Sequence, residues 1–476
     1  MKVDSAKQLP IIVLGGGPAG LTAAFDLSRQ GRKTILIEKA PLVGGISSSR
    51  YWENFIVEYG PHTYHVKQDD IDDLVRENYD GELAIKKRVT NMLIRGKTYD
   101  YPLKFWQLFR GLNPFFSARI VADFLVSSIR FSLFPRPDDS FETWGLKRFG
   151  RSLYQLCFGQ YSERVWGIPP SEISPRLASS KLHKLNLKDI LIKLLGGRGQ
   201  EQATYWDEFI YPEEGIGIIF NRMAERIALA GGEVRLETVP VGFHFRENRI
   251  SAVTVRRGDG EETIPAGGVI STIPLSELGK LCRPRLSGPE SAAAGDLKNR
   301  ALVLVNIIIA ADRISRAHWV YLLDPEFRFN RFCEQKNLLL ENKPPGKTML
   351  TFELCCGYGD KIWNASEEEL RTMALEDIGR IGLLDGLEVE KSMVTRSKDA
   401  YPIYGLPFEE NLKLTFRGLS GIPNLFSAGR QGLFLNSDMH DSMKSAREAA
   451  RGLLEDRDPK DFYRENSPLF PSLPGS

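Results

Sequence analysis

The chain has 476 residues, of which 42% are hydrophobic and 26% are charged. This is the balance of an ordinary globular protein, and the length allows two or three domains with substantial cores. The formal net charge is only +2 and Lys and Arg form no long basic run, so the composition excludes nucleic-acid binding as the main function.

Two further features argue against a metal centre and a membrane span. The five cysteines form no CxxC pair and no His-spaced pattern, so we predict reduced thiols and no metal site. No window reaches the ~20 uninterrupted apolar residues that a membrane helix needs, and the first residues lead into a strand instead of an apolar leader. We therefore predict a cytoplasmic protein without a transmembrane segment.

The most apolar long window is residues 115–134, which Arg119, Asp123 and Arg130 interrupt. We expect an amphipathic helix there. Such a helix can pack on its own protein or lie on a membrane surface, and we favour the first arrangement.

The N-terminal part of the chain is predicted to form one βαβ crossover. Residues 10–15 are apolar and rich in β-branched side chains, as in a buried parallel strand. A helix is predicted from Ala19 to about Gly31, because its apolar residues recur at helical spacing. A second buried strand follows at 33–39.

Between the first strand and the helix lies G-x-G-x-x-G, formed by Gly15, Gly17 and Gly20. Glycines at these positions end the strand, let the backbone approach a pyrophosphate and allow close helix packing. Glu38, at the end of the second strand, can accept hydrogen bonds from ribose hydroxyls. We predict a dinucleotide cradle that also includes Pro18, Ala19 and Lys39, although this motif alone does not separate FAD from NAD.

The rest of the chain alternates between helical and strand patterns. Residues 69–204 are predicted to be mainly helical, and 231–274 to form a meander of strands. Further strands are predicted at 55–65, 301–310, 348–355 and 424–430, and further helices at 218–230, 366–381 and 437–454. A Pro- and Ser-rich tail, 458–476, is predicted to be poorly ordered.

Two distant segments carry a family resemblance. Glu38 is followed by Gly44, Gly45, Ile46 and the small residues 47–49, and the chain later contains Ser427-Ala428-Gly429-Arg430 and then Asp438-Met439. Both segments resemble the superfamily of amine oxidases, protoporphyrinogen oxidases and UDP-galactopyranose mutases. The resemblance implies FAD as the cofactor, with the predicted contacts Gly44, Gly45, Ile46, Ser47, Val239, Gly429, Arg430, Asp438 and Met439.

Three other segments are most similar to UDP-galactopyranose mutases. They are Tyr59-Gly60-Pro61-His62-Thr63-Tyr64-His65, Tyr161-Ser162-Glu163-Arg164-Val165-Trp166-Gly167, and Tyr401-Pro402. The resemblance implies that His65 lies near the reactive flavin nitrogen and that Tyr161, Arg164 and Trp166 line a sugar pocket. We predict catalytic roles for His65, His62, Tyr401 and Arg430, and substrate contacts from Tyr161, Arg164, Trp166 and Asn436.

The chain also departs from the mutase pattern. The mutases place tyrosines after the residue matched by Arg430, where this chain has Leu433, Phe434, Leu435, Asn436 and Ser437. The mutase arginine after the tryptophan motif has only Arg176 or Lys181 as candidates here.

We therefore predict an α/β fold: a discontinuous Rossmann-like FAD-binding domain (1–75, 205–290 and 395–457) with an inserted mixed α+β substrate domain (76–204 and 291–394). The first functional hypothesis is oxidation of a small molecule, with a sugar derivative as one candidate, by hydride transfer to FAD. The alternative is a non-redox nucleotide-sugar mutase that uses reduced FAD. A third reading is a flavin-binding scaffold without catalysis. The sequence leaves the substrate, the electron acceptor and the oligomeric state open.

Overall fold

The computed structural model describes residues 9–81, 83, 85–103, 105–181, 208–339 and 344–467. Its helices are α1 (Pro18–Arg29), α2 (Asp70–Glu77), α3 (Phe105–Gly111), α4 (Pro114–Leu133), α5 (Phe141–Tyr154), α6 (Gln160–Trp166), α7 (Arg176–Lys181), α8 (Gly217–Leu229), α9 (Leu275–Leu281), α10 (Gly288–Asp296), α11 (Glu367–Gly379), α12 (Phe408–Leu419), α13 (Gly429–Gly432), α14 (Met439–Leu454) and α15 (Pro459–Asn466).

The strands are β1 (Ile11–Leu14), β2 (Thr34–Ile37), β3 (Arg50–Trp52), β4 (Phe55–Val57), β5 (Ile85–Lys87), β6 (Thr90–Ile94), β7 (Lys97–Asp100), β8 (Glu208–Ile210), β9 (Glu233–Arg235), β10 (Thr238–Arg246), β11 (Arg249–Arg257), β12 (Gly260–Pro265), β13 (Gly268–Ser271), β14 (Asn299–Ile309), β15 (Trp319–Leu322), β16 (Arg331–Glu334), β17 (Thr348–Cys356), β18 (Val389–Pro402) and β19 (Leu425–Ser427).

A parallel sheet with the order β19-β13-β1-β2-β9 carries the N-terminal crossover. All four residues of β1 and of β2 are buried, as expected for strands that helices cover on both faces. Helix α1 packs between the sheet and the helices α8 and α14. The predicted α/β class and the N-terminal strand–helix–strand order are confirmed.

A second sheet with the order β18-β14-β17-β16-β15-β6-β7 forms the other large layer. Its pairs are antiparallel, except for the parallel pair of β15 with β6. Strand β17 is buried at every position, because the sheet is covered on both faces by the rest of the molecule. A three-stranded antiparallel sheet, β10-β11-β12, stands apart from both.

The structure changes several details of the predicted architecture. The described residues of 69–204 are mainly helical, as predicted, but β5, β6 and β7 form strands because they pair with β8, β15 and each other; residues 182–204 of that range lie outside the described residues. Strand β13 does not belong to a meander, since it pairs in parallel with both β1 and β19. Strand β18 runs across the domain boundary predicted at 395, so the second sheet extends to Pro402.

The prediction of a poorly ordered tail is also wrong for its described part. Helix α15 begins after Asp458, whose side chain accepts a hydrogen bond from the Lys460 amide at 2.8 Å. Phe462 and Tyr463 are buried, and the Tyr463 ring stacks on Phe416 at 4.5 Å between centroids. Burial of two aromatic side chains outweighs the disordering composition of this segment. Residues 468–476 lie outside the described residues.

Among the described residues, no helix is long and apolar enough to cross a membrane.

Candidate functional site

The cofactor cradle lies at the carboxyl ends of three neighbouring parallel strands. Leu14, Ser271 and Ser427 share one register across β1, β13 and β19, so the residues that follow them meet at one edge of the sheet. In an open α/β sheet, the crevice at this edge is where ligands bind. Thr272 joins two of the strands, since its hydroxyl donates to the Leu14 carbonyl at 2.9 Å.

The three glycines of the motif occupy positions with different steric demands. Gly15 has φ +99°, which favours glycine, and a Cβ on Gly20 would lie 1.8 Å from the Gly15 carbonyl oxygen. Close packing of α1 on β1 therefore requires glycine at position 20. A Cβ on Gly17 would meet no atom within 4 Å, which leaves open space at the N-terminus of α1, where Pro18 starts the helix and a phosphate is favoured by the helix dipole.

Glu38 lies beside this loop, as the motif predicts. Its carboxylate accepts hydrogen bonds from the amides of Gly16 at 2.6 Å and Ala40 at 2.7 Å. The Glu38 carbonyl accepts from the Thr238 amide at 2.9 Å, which brings the neighbouring residue Val239 to the same end of the cradle. Lys39 is exposed.

A second glycine loop packs directly on the first. The Gly44 amide donates to the Gly16 carbonyl at 2.8 Å, and a Cβ on Gly45 would lie 3.2 Å from the Gly17 Cα. A 3-10 turn, Gly45–Ser47, continues from there, with Ile46 half-buried and Ser47 buried. The two loops therefore form one continuous backbone surface along the open space at Gly17.

The C-terminal segment closes the cradle. Gly429 has φ +76°, and a Cβ there would lie 2.7 Å from the Cβ of Ala19, so only glycine allows α13 to approach α1. The Gly429 amide donates to the Ser445 hydroxyl at 2.9 Å. Asp438 is the N-cap residue of α14 and Met439 its first residue, and their contact with the cofactor stays a prediction. The cradle thus offers a dinucleotide two glycine-lined loops, a carboxylate and the N-terminus of α1.

A second, polar cluster is built around Arg331 and Glu353, on the neighbouring strands β16 and β17. The Arg331 Nε donates to Glu353 Oε1 at 2.6 Å. Gly60 has φ +100°, and a Cβ there would lie 2.5 Å from the same carboxylate oxygen. The glycine in the Tyr59–His65 motif therefore lets that segment pass close to Glu353.

Aromatic side chains surround this pair. Tyr321 lies 6.0 Å from the Arg331 guanidinium and makes an edge contact with Tyr161 at 6.4 Å between ring centroids. Tyr401 makes a similar contact with Trp166 at 6.3 Å. The structure thus brings the predicted residues Tyr161, Trp166 and Tyr401 together.

Arg430 completes the cluster from the cofactor side. Its guanidinium lies 5.8 Å from the Tyr401 ring centroid and donates from Nε and Nη2 to the Ser437 carbonyl, at 3.1 and 2.7 Å. Within the part of the chain that the structure describes, its Nη1 and both η-nitrogens of Arg331 make no hydrogen bond. Two guanidinium groups of the cluster therefore keep unused hydrogen-bond donors.

Burial and charge set the protonation of the cluster. Burial, with the positive charges of Arg430 and Arg331, lowers the pKa of His62 to about 3, so its ring is neutral near pH 7. Burial raises the pKa of Glu353, and the charge of Arg331 opposes that shift. Burial also raises the pKa values of Tyr161 and Tyr401. The tyrosines are thus neutral hydrogen-bond donors.

The structure separates the two histidines of the motif. His62 lies near Arg430 and Arg331, with Nδ1 3.2 Å from the Gly60 carbonyl. His65 instead lies with Nδ1 2.9 Å from the Glu208 carbonyl and its ring edge-on to Phe209. Tyr64 between them is buried and donates to Asp72 at 2.5 Å. The histidine that joins the arginine cluster is therefore His62.

Two residues that were predicted to contact substrate also make structural contacts. Arg164 donates to the carbonyls of Leu322, Asp324 and Phe327 and to the Asn330 side chain, so its guanidinium anchors the loop between β15 and β16. The backbone amide of Asn436 donates to the Tyr404 hydroxyl at 2.9 Å.

The segment that replaces the mutase tyrosines is part of the core. Leu433 and Phe434 are buried, and Phe434 packs against Tyr404 and Phe408. Arg176 lies near Glu409 at 3.5 Å, in a different part of the molecule from Arg331.

Sequence reasoning missed Arg331, Glu353 and Tyr321. Their positions in the cluster depend on strand pairing between residues far apart in the chain, which no local motif encodes. Glu353 does leave a signal, because it is a carboxylate within the otherwise apolar run TMLTFELCC of β17. A buried carboxylate needs a partner, and that partner is Arg331.

The chain belongs to the family of flavin-containing amine oxidoreductases, whose model matches residues 18–454. The probable UDP-galactopyranose mutase of Klebsiella pneumoniae is 25% identical over 185 residues, which cover 38% of this chain and 46% of that protein. The dTDP-fucopyranose mutase of Escherichia coli is 24% identical over 170 residues, 34% of this chain and 43% of that protein. The chain thus spans less than half the length of these relatives.

Solved structures match over nearly the whole chain. A reduced UDP-galactopyranose mutase has a TM-score of 0.80 and 20% identity, with 97% of each chain covered. A putative protoporphyrinogen oxidase from Exiguobacterium sp. 255-15 has a TM-score of 0.70 and 18% identity, covering 94% of this chain and 99% of that one. At such identities the likeness shows the fold.

The predicted superfamily and its flavin cofactor are confirmed by the family match and the shared fold. FAD is the cofactor, and the glycine-lined cradle with Glu38 has the donors, acceptors and open space that its diphosphate and ribose require.

Proposed function

We propose that this chain rearranges a nucleotide sugar, as a pyranose/furanose mutase, in the space between the cofactor cradle and the Arg331–Glu353 pair. The observation that carries the proposal is the pair of neighbouring guanidinium groups, Arg331 and Arg430, that keep unused hydrogen-bond donors among the described residues. In a mutase reaction the bond from the anomeric carbon to the diphosphate breaks and re-forms, and the ring closes on a different sugar oxygen. No electrons are gained or lost.

The charges of the cluster favour an anionic substrate. His62 is neutral, so among the described groups of the cluster two guanidinium groups lie near one carboxylate, Glu353. Guanidinium groups bind phosphate oxygens through paired, charge-assisted hydrogen bonds. A cationic amine would meet repulsion from the same groups, which argues against amine oxidation as such.

The aromatic side chains suit a sugar. Tyr161, Tyr321, Tyr401 and Trp166 form ring walls around the arginines. Ring faces stack on the apolar side of a sugar, and neutral phenols can hydrogen-bond its hydroxyls. His62, neutral and half-buried beside Arg430, is positioned to accept a proton from a substrate oxygen.

FAD determines which reaction occurs in this space. When bound, reduced FAD supplies a nucleophilic ring nitrogen for an anomeric carbon, whereas oxidised FAD supplies a hydride acceptor. The mutase relatives support the first use. The second candidate is oxidation of a sugar-derived or other small molecule, which the oxidoreductase family and the likeness to a protoporphyrinogen oxidase support.

Turnover by reduced and oxidised enzyme separates the candidates. The FAD-loaded chain is reduced anaerobically with dithionite and incubated with UDP-galactose, UDP-glucose and dTDP-fucose, with products resolved by chromatography and the flavin spectrum followed. We expect an isomeric product only with reduced enzyme and no net change in the spectrum. Bleaching of oxidised flavin by one of these sugars, without isomerisation, would overturn the mutase proposal in favour of oxidation.

A variant pair tests the role of the cluster. His62→Asn should lower turnover by about a hundredfold, with FAD content unchanged. His65→Asn, whose ring faces Phe209, should lower it less. Equal losses in both variants would contradict the assignment of the proton-transfer role to His62.

A further inference from the structure

Helix α4 exposes an unusual amount of apolar surface. Phe115 is 86% exposed, Val126 64%, Ile129 61% and Leu133 68%, and Leu125 lies between them at 51%. These residues recur at helical spacing, so they form one stripe along the helix. Single exposed apolar residues are ordinary, but a contiguous stripe of this size marks an interaction surface.

The opposite face of α4 is fixed to the protein. Ile120 is buried, and the Asp123 carboxylate accepts a hydrogen bond from the Ser152 amide at 3.2 Å and another from the Ser152 hydroxyl. Gly150 of α5, with φ +68°, lets that helix pack against the backbone of α4, since a Cβ there would lie 2.7 Å from the Phe124 amide nitrogen. These contacts hold one face of α4 against the protein, so the apolar stripe on its other face is exposed.

The charges beside the stripe are positive. Arg119 and Arg130 flank it on one edge of α4, and Arg136 follows the helix; all three are exposed. None of the three forms an ion pair with a described residue. Asp123 is the single carboxylate in α4, and it lies on the protein-facing side with Ser152.

We propose that α4 lies in the interfacial layer of an anionic membrane, with the stripe Phe115–Leu125–Val126–Ile129–Leu133 among the acyl chains and the arginines at the lipid phosphates. An amphipathic helix with an apolar face and basic edge residues binds in this way. The helix does not meet the requirements of a membrane-spanning segment. A second copy of the chain would present the same arginines and no carboxylate from α4 to pair with them.

Vesicle sedimentation tests this proposal with the full FAD-loaded chain. The probes are vesicles of equal parts phosphatidylglycerol and phosphatidylcholine, and vesicles of phosphatidylcholine alone. We expect binding to the anionic vesicles that weakens with added salt. Leu125→Glu/Ile129→Glu should bind at least about tenfold less, and Arg119→Gln/Arg130→Gln should lose about fivefold for each arginine.

Leu229→Glu is the matched control, because Leu229 is an even more exposed leucine, at the end of α8 and outside the stripe; it should bind like the wild type. FAD content and thermal stability check that every variant is folded. Failure of the wild type to bind either vesicle, equal binding to both, or unchanged binding by Leu125→Glu/Ile129→Glu would overturn the proposal. A dimer that Leu125→Glu/Ile129→Glu dissociates, with no vesicle binding, would assign the stripe to a second copy instead.

Discussion

The cofactor cradle and the arginine cluster differ in how the chain builds them. The cradle draws most of its contacts from residues 15–47, where strand, loop and helix follow one another directly. The cluster draws Gly60, Tyr161, Arg331, Glu353 and Arg430 from separate elements that meet only in the folded molecule. A motif that is contiguous in sequence specifies a ligand class, whereas a pocket assembled by tertiary contacts specifies the substrate.

The largest effect is expected from a substitution that disrupts the cradle and leaves the side chains of the arginine cluster unchanged. Gly20→Ala would place a Cβ 1.8 Å from the Gly15 carbonyl oxygen, and overpacking against backbone should cost at least ~4 kcal/mol of the free energy of unfolding. Gly17→Ala, with open space around it, is the matched control. It should fold normally and bind FAD more weakly, as measured by thermal unfolding and flavin content. Normal folding and FAD content in Gly20→Ala would contradict the packing role.

The next largest effect is expected from substitutions of Arg331 and Glu353, at the centre of the arginine cluster. Glu353→Gln leaves the buried Arg331 charge without its counterion, and Arg331→Met leaves Glu353 alone; each should cost about 3–5 kcal/mol. The double variant should be more stable than either single variant, because no uncompensated charge remains. Chemical denaturation of all four proteins measures this coupling, and additive losses would show that the pair does not interact.

A third prediction concerns Glu58, a buried carboxylate two residues before Gly60. It accepts hydrogen bonds from the Ser49 hydroxyl at 2.5 Å, the Ile216 amide at 2.9 Å and the Gln335 side chain at 3.3 Å. Burial raises the pKa of Glu58 to about 7. The folded state therefore holds this proton more tightly than the unfolded state, and stability should fall as pH rises from about 4.5 to about 7, and then level off.

The expected loss from Glu58 is about 3 kcal/mol, from ~1.4 kcal/mol for each unit of pKa difference. Denaturation of wild type and Glu58→Gln at pH 5 and pH 8 isolates this contribution. The stability difference between them should shift by that amount in favour of the variant at pH 8. A difference that does not change with pH would show that Glu58 titrates normally.

The smallest expected effect concerns the C-terminal helix behind the cradle. The Tyr463 hydroxyl accepts a hydrogen bond from the Ser427 amide at 3.1 Å, next to the flavin-binding segment. Tyr463→Phe leaves that buried amide without a partner, which should cost about 1–2 kcal/mol. Tyr358→Phe, at an exposed tyrosine, should change stability by less than about 0.5 kcal/mol. Thermal unfolding of the two variants and of the wild type measures these differences in stability.

The features that the sequence predicts belong mainly to the cradle, and the features that it does not predict belong mainly to the arginine cluster. The βαβ unit, with Glu38 beside its glycine loop, was predicted because its spacing and its apolar runs are local, and the cofactor contacts of Glu38 and Gly429 stay predictions. The strands β5–β7 were missed because their pairing partners β8 and β15 lie far along the chain. Arg331 was missed for the same reason, and the motif around Arg164 did not reveal that its guanidinium bonds to the loop between β15 and β16.

The most direct test of the anion site is a titration of UDP into the oxidised, FAD-loaded chain, followed by the flavin absorbance. We predict that the wild type binds UDP and that Arg430→Met and Arg331→Met each bind it at least about tenfold more weakly, with FAD content retained. Arg256→Met, which removes an exposed arginine paired with Glu261, should bind like the wild type. Equal affinity for UDP in all four proteins would contradict a nucleotide-diphosphate site at Arg331 and Arg430.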